Sequence, residues 1–317
     1  MNAEETDTMT HRALVTGAAG SIGEAVVDEL VGRGFEVDAW DIVEPRTRPG
    51  VTTAAVDLRR PVDRALVRPY ELVFHLASVT ENRDDRSTLV DHLDSLGMTA
   101  HLLDALGEQP PGAVVTTSSQ LVYASGPQHP DEDSRVAAGT GFAAAKISSE
   151  AFLEAFGHRS GVPTAALRLA NIVGPTTRRG VVHDFVRRAG EAAAAGDPVR
   201  ITGSTHHRRS FLSLTDCASA IVGLAGALPG SAPGQRVFNI ANFDSVSIAD
   251  VADVVATVTG VAFDVETHSD EPAWRGDPGT VLPDTARLAA TGWRPESTSR
   301  AAVHQAAAGL WASRAGR

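Results

Sequence analysis

From Ala13 onward, short apolar runs alternate with stretches in which apolar residues recur every three or four positions. The runs ALVTG, FEVDAWD, TTAAVD, ELVFHLA, AVVTTSS and TAALRLAN read as strands bounded by polar or glycine-containing turns. Helical segments lie between most of them, the first from about Ser21 to Arg33. Strands alternating with helices predict an α/β fold in which a doubly wound parallel sheet carries helices on both faces. After Asn171 the pattern loosens into a helix near His183 to Ala195, a strand-like PVRITG, and the segment RRSFLSLTD leading into a helix. A strand-like QRVFNIAN, a helix from Ile248 to Val258 and an amphipathic stretch from about Ser299 to Ala312 follow. No Pro/Gly/Ser-rich linker separates the halves. The expected division is therefore a main domain over 12–170 and a smaller, interlaced C-terminal α/β lobe over 171–317, with some segments returning to the first domain.

The turn after the first strand is Thr16-Gly17-Ala18-Ala19-Gly20-Ser21-Ile22-Gly23, a G-x-x-G-x-x-G sequence that opens a helix. Glycine is required there for the tight turn, for close backbone approach to a pyrophosphate and for packing of helix on strand. Free N–H groups and partial positive charge at the helix N-terminus then face the phosphates. Asp41 ends the second strand, 18 residues beyond Gly23, where a carboxylate can accept both ribose hydroxyls of an adenosine. It would repel a 2'-phosphate, so NAD is expected over NADP. Arg46 and Arg48 stand close behind. Asp57 and Leu58 after the third strand are expected to flank the adenine, and His75, Leu76 and Ala77 to line the dinucleotide further along. The main domain is thus expected to be a Rossmann-type NAD-binding unit.

Composition narrows the partners. A formal net charge of -11 argues against a nucleic-acid or anionic-membrane surface, because both are bound by accumulated Lys and Arg. A single cysteine, Cys217, leaves no intrachain disulfide and no cysteine-rich metal site, so no metal is expected and a reducing cytoplasm suits the chain. No apolar run approaches the roughly 20 residues needed to span a bilayer. Lys146 is the sole lysine: 27 of the 28 basic residues are arginine.

The ordered motifs TGAAGSIG, Asp41, VDL, HLA, SSQLVY, FxxxK, LRLANIVGP and RRSFLSLTD resemble the extended short-chain dehydrogenase/reductase family along nearly the whole chain, in its nucleotide-sugar epimerase and dehydratase branch. That resemblance implies a Ser or Thr, a Tyr and a Lys as catalytic set, with Tyr and Lys spaced Y-x-x-x-K on a helix. The serine maps to Ser119, four residues before Tyr123, and the lysine to Lys146, also a cofactor ligand. An arginine would replace that lysine poorly, since a guanidinium is a wide fork and an ammonium a compact charge.

The tyrosine position is Phe142. It keeps the ring and loses the hydroxyl that the family uses as acid or base, and a positioned proton carrier is worth about 10² to 10⁴ in rate. The chain's two tyrosines, Tyr70 and Tyr123, fall at other motif positions. Three outcomes stay open: another group such as Ser119 with a water, or His183, carries the proton; the substrate needs little proton assistance; or ligands bind without turnover. Gln120 and Leu121 stand where 4,6-dehydratases carry Asp and Glu, so epimerisation or ketone reduction fits better than dehydration. Asn171 matches the R-x-x-N-x-x-G-P element that borders the sugar, and Arg209 the arginine that grips the nucleotide phosphates. Arg275 in WRGD resembles a second phosphate arginine in a shifted register. Asp94 replaces a usual Asn, and His206 with His207 a usual glycine-rich turn. The resemblance also implies a homodimer through the helices of HLLDALG and FAAAKISSEAFLEAF. The function expected is an NAD-dependent epimerase or ketoreductase of a nucleotide-activated sugar. The alternatives are a non-catalytic NAD and sugar-nucleotide binder and an oxidoreductase of a non-sugar substrate.

Overall fold

The computed structural model describes residues 11–81, 87–123, 128–267 and 279–315. The first half runs β1 (Arg12–Thr16), α1 (Ser21–Gly32), β2 (Glu36–Asp41), β3 (Val51–Ala55), β4 (Leu72–His75), α2 (Leu93–Leu106), β5 (Ala113–Ser119), α3 (Gly141–Ser160) and β6 (Pro163–Leu169). Then come β7 (Asn171–Val173), α4 (Val181–Ala195), β8 (Val199–Gly203), β9 (Arg208–Arg209), β10 (Phe211–Ser213) and α5 (Leu214–Gly226). The chain continues with β11 (Gly234–Ile240), β12 (Val246–Ser247), α6 (Ile248–Thr259), β13 (Phe263–Thr267), α7 (Ala286–Ala290) and α8 (Ser299–Ala315).

Seven strands form one parallel sheet in the order β11-β6-β5-β4-β1-β2-β3. Successive residues of its middle strands point to opposite faces. Val15, Phe74 and Val115 join one buried cluster with α1 and α5, while Leu14, Val73 and Val114 join another with α2 and α3. Both faces are covered, which is why the strands read as continuous apolar runs rather than as alternation. The doubly wound α/β architecture is thus as the alternating pattern predicts.

TAALRLAN is not one strand. The chain leaves the sheet at Ala170, whose N–H donates to the Ile240 carbonyl, and β7 then pairs with β10. Strand β11, from the second half, returns to the main sheet beside β6. A separate apolar cluster joins α4, α6 and α8 with Val199 and Ile201 of β8, which pairs with β13. This second core lies past the carboxyl ends of β1, β4 and β5, and the space between the two cores is the cleft.

Candidate functional site

The cleft has a volume of about 850 Å³ and runs from the turn after β1 to Lys146 and across to α4 and α8. Its glycine end is fixed by sterics. Gly17 has φ +71°, and a Cβ there would stand 2.7 Å from the Ala77 backbone nitrogen. A Cβ on Gly23 would stand 2.1 Å from the Gly17 carbonyl oxygen. Neither obstacle is a movable side chain, so only glycine closes this turn. Gly17, Gly20, Ser21, Ile22, Gly23 and Leu76 all line the cleft. Gly20 is the N-cap of α1 and offers no side chain to the first N–H groups, which stay available to an anion. These residues fit the pyrophosphate of a dinucleotide.

Asp41 sits at the rim of that loop. One carboxylate oxygen accepts the Ala19 N–H at 3.0 Å, so the side chain braces the loop. Ile42 and Val43 follow it, 55% and 59% exposed, an apolar surface the sequence reading overlooked and one suited to a base. Arg48 is engaged by Asp28 at 2.9 Å and by the Glu24 carbonyl. Asp57 is held by the Arg59 guanidinium at 2.8 and 2.9 Å, which keeps its carboxyl down at about 2. Leu58 is buried, and its carbonyl accepts from the His101 ring at 2.9 Å. Ala77 donates its N–H to the Thr16 hydroxyl at 3.4 Å.

His75 is structural in its bonding. Its Nδ1 lies 2.8 Å from the Thr16 hydroxyl and its Nε2 3.0 Å from the Thr99 hydroxyl. Because Thr99 donates to the Ser95 carbonyl, the assignment that satisfies all groups puts the proton on Nε2 and lets Thr16 donate to Nδ1. Burial, with the Lys146 charge second, pushes its pKa down to about 3.

The chemistry end is built on α3. Thr140 caps the helix by accepting the Ala143 N–H, and Phe142 and Lys146 follow one turn apart on the same face. Lys146 is buried at 8% exposure, donates from Nζ to the Thr117 carbonyl at 2.9 Å, and lies 5.7 Å from the centre of the Phe142 ring. Burial lowers its pKa to about 8, against an opposing pull from Glu150. Ser119 ends β5, and its hydroxyl accepts the Leu121 N–H at 3.2 Å, which leaves its own proton to donate. Phe142 is half-buried and meets the His92 ring edge-on at 6.4 Å. Both tyrosines are committed elsewhere: Tyr70 donates to Asp38 at 2.8 Å and Tyr123 to Asn239, and burial raises the pKa of each.

Several groups around this end have no hydrogen-bond partner among the described residues: Ser118 Oγ, Gln120 Oε1 and His92 Nδ1, all buried. Buried polar atoms are rarely left so, and a ligand is one remedy. Ser118 lines the cleft beside Lys146, although the motif spacing pointed to its neighbour Ser119.

On the far wall, Ser21 Oγ donates to the Thr176 carbonyl at 2.8 Å and ties the glycine turn to the loop after β7. That loop and α4 bring Arg178, Arg179, His183 and Arg187 to the cleft, a basic wall the sequence reading did not find apart from His183. Asn171 and Arg209 come together beside the cleft rather than in its lining. The Asn171 amide donates to the Ser210 carbonyl at 3.0 Å, and Arg209 pairs with Val246 across β9 and β12. Arg275 lies outside the described residues. Among those described, no cluster of three or more His, Cys, Asp or Glu could hold a metal ion, and no helix is long and apolar enough to cross a membrane.

Comparison with known proteins gives the same fold. UDP-glucose 4-epimerase of Mycolicibacterium smegmatis is 29% identical, the match covering 90% of this chain and 94% of that protein. A dTDP-4-dehydro-6-deoxy-D-allose reductase of Streptomyces bikiniensis is 28% identical over 87% of this chain and 88% of its own. Among solved structures, MoeE5 in complex with UDP-glucuronic acid and NAD superposes with a TM-score of 0.83 at 25% identity, covering 96% of this chain and 99% of that one. The model of the NAD dependent epimerase/dehydratase family matches residues 13–241, most of the chain, and the protein belongs to that family.

Proposed function

We propose that the protein is an NAD-dependent epimerase or ketoreductase of a nucleotide-activated sugar, working with an altered catalytic set. One observation carries this reading: a single cleft joins the glycine turn to the chain's only lysine and to a wall of arginines. The 12–170 segment would hold the cofactor, and 171–317 would supply most of the sugar-nucleotide side.

In this account the backbone N–H groups from Gly20 to Gly23 bind the cofactor pyrophosphate and Asp41 accepts the adenosine ribose hydroxyls. Lys146 donates to the nicotinamide ribose, with Thr117 fixing its height. Bound NAD supplies a reversible hydride acceptor. Ser119 donates its hydroxyl proton to the reacting sugar oxygen. Asn171 and Arg209 border the sugar and its phosphates, and Arg275 is proposed as a second phosphate ligand on sequence alone. Gln120 has neither acid nor base to offer, which favours epimerisation or ketone reduction over dehydration. The UDP-sugar and dTDP-sugar chemistry in the relatives' names supports this substrate class.

Phe142 supports a second reading, binding without turnover. NAD-loaded protein mixed in turn with UDP-, dTDP- and GDP-sugars separates the two. A new sugar signal by NMR supports the enzyme, whereas saturable binding with the sugar unchanged supports the binding protein. The substrate's nucleotide is read from the same panel.

We also propose a homodimer through α2 and α3. Their outer surfaces bound a groove of about 610 Å³ lined by Ala100, Asp104, Phe152 and Arg159, with Phe152 44% exposed. A reducing, cytoplasmic setting suits the buried Cys217, whose thiol is pushed up to about 12 by burial.

A further inference from the structure

A second polar system lies directly beneath the chemistry end. Glu150, one turn after Lys146 on α3, receives two bonds from the Arg168 guanidinium of β6, at 3.1 and 2.8 Å. Their side chains are 9% and 6% exposed. Arg168 also donates to the Glu132 carbonyl at 3.1 Å and stacks over Tyr123 at 5.0 Å. Glu132 in turn accepts the Asn239 N–H at 2.8 Å, and Gln235 donates to the Glu150 carbonyl at 2.7 Å. Such a pair is costly to desolvate, and apolar residues of the same volume would serve packing as well or better. Its position below Lys146 suggests what it does.

Lys146 differs from the other basic side chains in the cleft. It is buried, it projects into the cleft from the helix face of Phe142, and its one hydrogen bond among the described residues is to the Thr117 carbonyl. A neutral amine can keep that bond through one N–H and still present a lone pair. No phenol at position 142 competes for it. Three of the other titratable groups around it are occupied. His75 from β4 is saturated by Thr16 and Thr99, Tyr123 is bound to Asn239, and Arg168 is spent on Glu150. His92, leading into α2, holds Ser87 through Nε2 and does not line the cleft, while Arg236 stands on β11 at the sheet edge. His183 lines the wall built by α4.

We propose that Lys146 is itself the proton carrier of the reaction, in place of the hydroxyl that Phe142 lacks, and that the Glu150–Arg168 pair is the positioning device that holds it for this work. The proposal rests on the enzyme reading above. In the oxidative direction, a carbinol carbon of the sugar loses its hydrogen with the bonding pair as hydride to the nicotinamide, while the hydroxyl proton passes to neutral Lys146 Nζ. A ketone, a reduced nicotinamide and an ammonium result, and the return transfer reverses both movements. The lysine has to exchange its proton near the working pH to do this, and the opposed influences of burial and Glu150 set it near 8.

The sole lysine gives a direct test, because protein labelled with [13Cε]lysine has one lysine signal. We expect that signal to titrate near 8 in the NAD-loaded wild type, and the pH profile of turnover to break at the same pH. The double variant Glu150→Gln/Arg168→Met removes both buried charges, which guards the fold against a stranded one. In it the NMR pKa and the kinetic break should fall together, by about one unit. Lys146→Arg keeps a permanent cation and should retain NAD yet lose at least about 100-fold in turnover. A lysine titrating at its ordinary value, a kinetic break that ignores the NMR shift, or a Lys146→Arg protein of near-wild-type rate would each overturn the proposal. So would a wild type that binds a sugar nucleotide without turnover, which spares the binding reading. Failure to bind any sugar nucleotide would remove the underlying reading as well.

Discussion

The two ends of the cleft obey different rules. At the dinucleotide end the backbone itself is the binding surface. The demands are steric, and Gly17 and Gly23 meet them where no residue with a side chain could. At the chemistry end side chains do the work, and there Phe142 stands at the position for which the family resemblance implies a tyrosine. A backbone-built site tolerates almost no change, whereas a side-chain-built site can change its reaction while the fold stays the same.

The sharpest way to break that contrast is to damage the first end. Gly17→Val or Gly23→Val puts a side chain into fixed backbone, and the protein should be purified without NAD, or fail to fold, as cofactor content and thermal unfolding would show. A Gly23→Val protein holding a full complement of NAD would remove the steric argument. The second end should instead be open to repair. Phe142→Tyr returns a hydroxyl to a ring whose centre lies 5.7 Å from the Lys146 ammonium and should raise turnover about 10²-fold at saturating sugar nucleotide. An unchanged or lower rate would mean that the wild type has a proton route that the phenol obstructs.

How far the sequence could be read follows the same division. The first strand, the glycine turn and the helix it opens were legible because local geometry fixes them. The sheet was legible because its strands are buried on both faces and stand out as apolar runs. Pairings that exist only after folding were not. Glu150 and Arg168 are 18 residues apart on different elements, and nothing in either segment announces the pair. The basic wall of Arg178, Arg179 and Arg187 is assembled by a loop and a helix brought across the cleft. The break between β6 and β7 depends on Ala170 bonding to Ile240, a contact 70 residues distant.

Two smaller effects sharpen the comparison. Lys146→Met removes an ammonium that burial disfavours, so the variant should be inactive yet up to about 3 kcal/mol more stable near pH 7, measured by urea unfolding. A loss of stability would mean that the Thr117 bond outweighs the desolvation. His75 should make the fold acid-sensitive. Its folded pKa, about 3, lies below the ordinary 6.5, so between those values the unfolded chain binds the extra proton and stability falls as pH falls. The slope from this one group is at most about 1.4 kcal/mol per pH unit, and His75→Asn should flatten the stretch from pH about 6.5 to 5.5, above most carboxylate titrations.

The central claim, that hydride transfer to a bound nicotinamide survives without the tyrosine, is tested most directly by absorbance at about 340 nm when NAD-loaded protein meets an excess of each nucleotide sugar in a single turnover. The account predicts that one nucleotide sugar raises the absorbance, lastingly or as a transient that decays when the hydride returns. Saturable binding across the panel, with flat absorbance and no altered sugar, would contradict it.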